Sequence, residues 1–169
     1  MDAMDCIMSR RSIRRYTGER VAPELIERIL HAAMAAPSAG NQQPWRFVVL
    51  TERDALDRAA TTTPYGKMLR EAAFALVVCA DTRELKHPTM WQQDCSAAAQ
   101  NALLAAHAQG LGGVWLGFWP KMERVEPLKA ELGLPEGVEP MAVLAFGHPA
   151  EDKPRSERYT PEFVHYELW

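Results

Sequence analysis

Apolar and polar positions along the chain predict helices and strands in irregular succession. Residues 3–11 read as a short helix that ends in basic residues. A stronger one begins at Pro23, where Leu25, Ile26, Ile29, Leu30 and Ala33 form an apolar stripe that Pro37 ends. Residues 45–51 and 73–80 are short runs rich in Val, Phe and Leu, and read as buried strands. Between them residues 52–60 predict a helix, followed by a Thr-Thr-Thr-Pro-Tyr-Gly turn and a short segment at 67–71. Thr89 and Gln92 have capping-box spacing, and residues 90–109 run without Gly or Pro until Gly110, which predicts the longest helix. Its small residues, Ser96 to Ala108, lie on more than one face and suit a central or subunit-interface position. Residues 112–119 then read as a strand, 121–132 as a helix opened by Pro120 and closed by Gly133, and 140–147 as the last strand.

From His148 onward periodicity is weak, yet the chain closes on Phe163, Val164, His165, Tyr166, Leu168 and Trp169. Such residues are costly to leave in water, so they should pack on something. The simplest partner is a second copy of the chain; the alternative is a tail that folds back on its own domain.

Composition narrows the picture. With 169 residues, 47% hydrophobic and 24% charged, the chain suits one domain with a sizeable core. A net charge of −3 gives no general attraction to nucleic acid or to an anionic membrane, so any anion site must be local. The apolar run at 72–80 stops at Asp81, well short of the ~20 residues of a membrane-crossing helix. The amino terminus has no secretory pattern, and the expected location is the cytoplasm. Cys6, Cys79 and Cys95 form no C-x-x-C pair and read as buried small hydrophobes, and no histidine pair has metal-ligand spacing.

Three segments are candidates for chemistry. Arg10, Arg11, Arg14 and Arg15, with Ser12, concentrate cations near the start; on a helical turn Arg10 and Arg14 would share a face able to fork onto phosphate. The same residues could instead serve the helix dipole and the solvated surface. The uncharged loop from Pro37 to Trp45 is dense in amides, which suit a ring edge that alternates donors and acceptors, or else it is a turn. Gly110 to Gly117 fails the dinucleotide pattern, because Trp115 stands where G-x-G-x-x-G needs glycine and the segment follows a helix. Its glycines let backbone approach a flat ligand, or simply end the helix. Ser38 has no histidine at triad spacing, which leaves hydrolysis without support.

Taken together, Arg10-Arg-Ser-Ile-Arg14, Ala36-Pro-Ser-Ala-Gly-Asn41 with Gln43-Pro-Trp45, Gln93-Asp-Cys-Ser-Ala97 with Gln100-Asn101, Gly110 to Gly117, and Gly147 to Arg155 with Arg158 and His165-Tyr166 resemble one family. It is the FMN-dependent nitroreductases, in particular their short bacterial members. The resemblance implies an α+β fold with a mixed sheet flanked by helices, in an intertwined homodimer that exchanges C-terminal arms. Residues 1–147 would form the FMN-binding body and 148–169 an arm of the same domain wrapping the partner. It further implies that Arg10 and Ser12, with Arg11, hold the FMN phosphate, and that Arg14 lies nearer the pyrimidine side. Pro37, Ser38, Ala39, Asn41 and Gln43 would reach the flavin of the other subunit. Trp115, Leu116 and Gly117 would bring backbone to the isoalloxazine. Arg155 and Arg158 would close the phosphate site, with Lys153 as the fallback, and Lys67 is a further flavin candidate. The activity implied is two-electron, ping-pong transfer from NADH or NADPH to nitroaromatic, quinone or related small-molecule acceptors, with no metal. A specialised flavin enzyme, fragmenting flavin or removing halide, and a non-catalytic FMN-binding protein are the alternatives.

Overall fold

The computed structural model describes residues 1–169. Helices α1 (Ala3–Ser9), α2 (Pro23–Met34), α3 (Arg53–Thr61), α4 (Trp91–Ala108) and α5 (Met122–Leu132) alternate with strands β1 (Trp45–Leu50), β2 (Phe74–Asp81), β3 (Gly112–Gly117) and β4 (Val138–Gly147). The strands form one sheet in the order β1-β2-β4-β3, and every pairing between them is antiparallel. The mixed character expected of the sheet is confined to a parallel bridge between Ser12 and Gly113 at the β3 edge.

Why β2 reads as an unbroken apolar run is now plain: both its faces are covered. Phe74, Leu76, Val78 and Ala80 face a core shared with α2 and α4, whereas Ala75, Val77 and Cys79 face a second core shared with α3 and α5. The fold is therefore helices on both sides of an antiparallel sheet. Cys6, Cys79 and Cys95 are buried as expected, and burial pushes the thiols of Cys79 and Cys95 up to about 12. No helix is long and apolar enough to cross a membrane.

Three local expectations fail for identifiable reasons. The first helix stops at Ser9, so Arg10 and Arg14 do not share a helical face. Residues 10–16 run extended instead, because Ile13 N–H donates to the Gly113 carbonyl at 3.0 Å and the Ser12 bridge draws the segment onto the sheet edge. The Thr89–Gln92 capping box does not form: Met90 is the cap of α4 and contributes no side-chain bond. Pro120 does not open α5; it follows a cis Trp119–Pro120 bond, and Lys121 is the cap.

Gly112 and Gly113 are small because of protein, not ligand. A Cβ at Gly112 would stand 2.8 Å from the Ile13 side chain, and one at Gly113 would stand 2.7 Å from the Phe146 ring. The Phe146 ring in turn stacks on Phe74 at 5.0 Å. Only Gly110, with φ +80°, performs the helix-ending role.

The tail divides. Residues 148–155 lie on their own chain: Thr17 N–H donates to the His148 carbonyl, Ala150 N–H to the Arg15 carbonyl, and Tyr16 bridges Pro149. Beyond Ser156 the chain meets little, and Phe163, Tyr166, Leu168 and Trp169 are exposed, the last completely. The back-folding alternative thus holds for the first third of the tail and not for its apolar end.

Gly113→Ala should lower stability by roughly 1–3 kcal/mol through overpacking against Phe146. Urea unfolding measures it, and a midpoint equal to the wild type's would contradict the packing described.

Candidate functional site

The extended arginine segment is fixed by Tyr16, a buried ring whose hydroxyl donates to the Ile13 carbonyl at 2.7 Å and to that of Ala145 at 3.0 Å. Along this segment Ile13 and Tyr16 are buried, Arg10, Arg11 and Ser12 are half-buried, and Arg14 and Arg15 are exposed. Around Arg10 stand Arg11 and Arg158, and burial first, then these like charges, push its guanidinium below the ordinary value. Arg11 donates through Nη1 to the Pro154 carbonyl, while its buried Nε has no partner. No ion pair of the chain includes Arg10, Arg11, Arg14 or Arg158. Guanidinium groups that pair with no carboxylate, one with an orphaned buried donor, fit a phosphate group.

Lys153 and Arg155 are already engaged. Lys153 Nζ donates to the Ser12 carbonyl at 2.8 Å and pairs with Glu151 at 3.0 Å, and Arg155 pairs with Asp5 at 3.1 Å. Glu151 also accepts the Arg14 N–H at 2.6 Å, and this bond first, with Lys153 beside it, holds its carboxyl below the usual range. Within one chain Lys153 and Glu151 anchor the tail to the arginine segment, and Arg155 anchors it to α1.

A pocket of about 350 Å³ opens beside this segment. Arg14 and the β3 end, Trp115, Leu116 and Gly117, line it together. Thr63, Tyr65, Lys67 and Met68 form another wall, and Arg124 of α5 completes the rim. Arg53 from α3 donates to the carbonyls of Leu69, Arg70 and Ala72, which fixes the turn presenting Lys67 and Met68.

The amide loop lies elsewhere. Pro44 accepts from Asp81 N–H at the start of β1, so Pro37, Ser38, Ala39, Asn41 and Gln43 sit at the β1 edge. The β3 edge is three strand spacings away, about 14 Å. Within one chain the predicted residues therefore form two groups rather than one site. The loop is held by Asp94, a carboxylate only 5% exposed, which accepts Ala39 N–H at 2.9 Å and Gln42 Nε2 at 2.7 Å. Gln42 also exchanges bonds with the backbone of His87, and Ser38 Oγ accepts Gln43 N–H at 3.0 Å. Gly40, Asn41 and Gln43 all take positive φ near +50°, so the loop needs these anchors.

Sequence reasoning did not single out Thr63 or Arg124; the family resemblance placed a flavin-touching polar residue and a Lys within Tyr65–Met68 without fixing their register, and included Asp94 only as part of the Gln93–Ala97 motif. Asp94 carried a faint signal, as an acid opening an otherwise small and apolar helix, and Arg124 another, as a cation in the first turn of one.

A model described as "Nitroreductase family" matches residues 7–63 and 58–148. This chain belongs to the nitroreductase family. Among its relatives, an Archaeoglobus fulgidus protein provisionally named NADH dehydrogenase/NAD(P)H nitroreductase is 44% identical, with 99% of each chain covered. A provisionally named NADH oxidase from Clostridium acetobutylicum superimposes with a TM-score of 0.95 at 43% identity, covering 98% of this chain and 100% of that one. A Desulfovibrio desulfuricans nitroreductase, also provisionally named, was solved in complex with FMN. It is 36% identical, with a TM-score of 0.85 over 100% of this chain and 99% of its own. The chemistry of this nitroreductase is accordingly of the NAD(P)H-dependent flavin class.

Asp94→Ala would leave Ala39 N–H without its acceptor and Gln42 with only its His87 bonds, at a cost of roughly 1–3 kcal/mol. Thermal or urea unfolding of the variant should show that loss, and an unchanged stability would remove Asp94 as the anchor of the loop.

Proposed function

We propose that this nitroreductase binds FMN in a homodimer and passes two electrons from NADH or NADPH, by ping-pong exchange, to nitroaromatic, quinone or related acceptors. The observation that carries the reading is the split site. Arg14 and the β3 end share a pocket that lacks the amide loop, and the loop lies at the far edge of the same sheet. A second copy, bringing Pro37, Ser38, Ala39, Asn41 and Gln43 against the first copy's pocket, makes two complete sites.

The redox chemistry would be FMN's: a hydride in from NAD(P)H, then two electrons out to an acceptor that takes the vacated place. The chain's own residues bind and orient. Arg10, Arg11, Ser12 and Arg158 hold the phosphate, Arg10 being the cation most in need of an anion. Arg155 joins them where the arm exchanges Asp5 for the phosphate. Arg14, exposed and without a carboxylate partner, places positive charge at the pocket and favours an anionic ring. Because β3 is an edge strand bridged only at Gly113, its backbone groups from Val114 to Gly117 include donors that face away from β4 and are free for a ligand.

The arm is proposed to run on the partner from Ser156 onward. Burying Phe163, Tyr166, Leu168 and Trp169 would contribute roughly 1.5–3 kcal/mol each. Two surfaces suit them: the unpaired edge of β1, with Phe47 and Val49 beside Leu30 and Met34, and a groove of about 660 Å³ between α2 and the end of β1.

The purified protein should carry a visible flavin band that bleaches with about one equivalent of NADH or NADPH under anaerobic titration and returns on adding a nitroaromatic or quinone. Arg14→Ala should bind FMN about tenfold more weakly, the loss of one charge-assisted contact. A bound flavin that ignores both nucleotides would reject the reading. A chain ending at Arg155 should elute as a monomer with weakened FMN affinity; dimeric elution at full affinity would remove the arm from the site.

A further inference from the structure

Arg124 is not explained by cofactor holding. It is the third residue of α5, where the positive end of the helix dipole disfavours a cation, and no carboxylate of the chain pairs with it. Two contacts fix it. Nη1 donates to the Gly117 carbonyl at 3.0 Å, and the guanidinium lies over the Tyr65 ring, 4.9 Å from its centroid. The side chain thus spans two walls of the 350 Å³ pocket, the β3 end and the turn after α3. One donor and one flat face satisfy that bridge. Nη2 makes no hydrogen bond within the chain, and Nε is buried without a partner.

The space beside it is open. A Cβ at Gly117 would meet nothing within 4 Å, and the exposed Lys67 adds a second positive charge that no carboxylate offsets. A clamp between Gly117 and Tyr65 would need no charge, so the uncompensated charges at the rim call for an anion beyond the phosphate cluster at Arg10.

We propose that Arg124 is a specificity-determining residue that takes the anionic group, carboxylate or phosphate, of the second molecule entering this pocket. The inference rests on the flavin oxidoreductase reading above and adds its substrate class. Two sources share the chemistry: a carboxylate on the electron acceptor, and a phosphate of the dinucleotide donor. Tyr65 and Trp115, both lining the same pocket, offer aromatic surface to the rest of either molecule.

The test uses the FMN-loaded enzyme and two acceptors of one shape, 4-nitrobenzoate and neutral 4-nitrobenzamide, with the donor saturating. Arg124→Gln keeps an amide donor for the Gly117 carbonyl and removes the charge; Arg124→Lys keeps the charge. The expected result is a fall of about tenfold in kcat/KM for the benzoate with Arg124→Gln, no more than twofold for the benzamide, and substantial recovery with Arg124→Lys. In a second arm NADH and NADPH are varied against the benzamide. A rise in donor KM there, with acceptor preference unchanged, supports the inference and assigns the anion to the donor.

Equal losses for both acceptors without a rise in donor KM, no change in either arm, or release of FMN by Arg124→Gln would overturn the inference while leaving wild-type turnover, and so the functional reading, intact. A wild-type flavin that neither nucleotide reduces would instead overturn that reading, and the inference with it.

Discussion

The arrangement of the site depends on the close approach of residues 10–16 to the edge of β3. It is possible because Gly112 presents no side chain to Ile13. With Ile13 seated and Tyr16 bonded to two carbonyls, the arginines have no freedom to form another helical turn and are held along a strand edge. Held there, the segment leaves Arg10, Arg11 and Ser12 half-buried and Arg14 exposed. The same segment receives the chain from His148 to Arg155, through Glu151, Lys153 and backbone bonds, so the tail leaves the body beside the cationic cluster.

A second constraint divides the site. The sheet places the amide loop and the Trp115–Gly117 stretch at opposite edges, with β2 and β4 buried on both faces between them. No side chain crosses such a sheet. Completion by another copy, as proposed, would give the exposed aromatic tail, the open β1 edge and the neighbouring groove a common purpose. Electrostatics follows the same division: the loop is held by a buried carboxylate bonded to neutral amides, whereas the arginine segment accumulates positive charge that its own chain leaves uncompensated.

Much of the fold was legible because periodicity reports burial. The apolar stripe of α2 and the unbroken β2 run are consequences of which faces meet the core, and the small residues of α4 allow close packing. The arginine segment misled because its local composition suits a helix end, while its conformation is set by a strand about a hundred positions away in sequence. The capping box failed because α4 starts one residue later than its spacing requires, with Met90 rather than Thr89 at the cap.

By itself the sequence determined the element types, the buried cysteines, the ordered motifs of the nitroreductase family and the residues able to bind an anion or a flat polar ring. Each of these depends on chemistry carried by neighbouring residues. Tertiary structure alone decided that Lys153 and Arg155 are engaged within the chain, that Arg14 shares a pocket with Trp115 but not with Asn41, and that Tyr65 and Arg124 close that pocket. These depend on contacts between segments distant in sequence, where the strength of a charge or hydrogen bond is set by what the fold places beside it and by how much water it excludes.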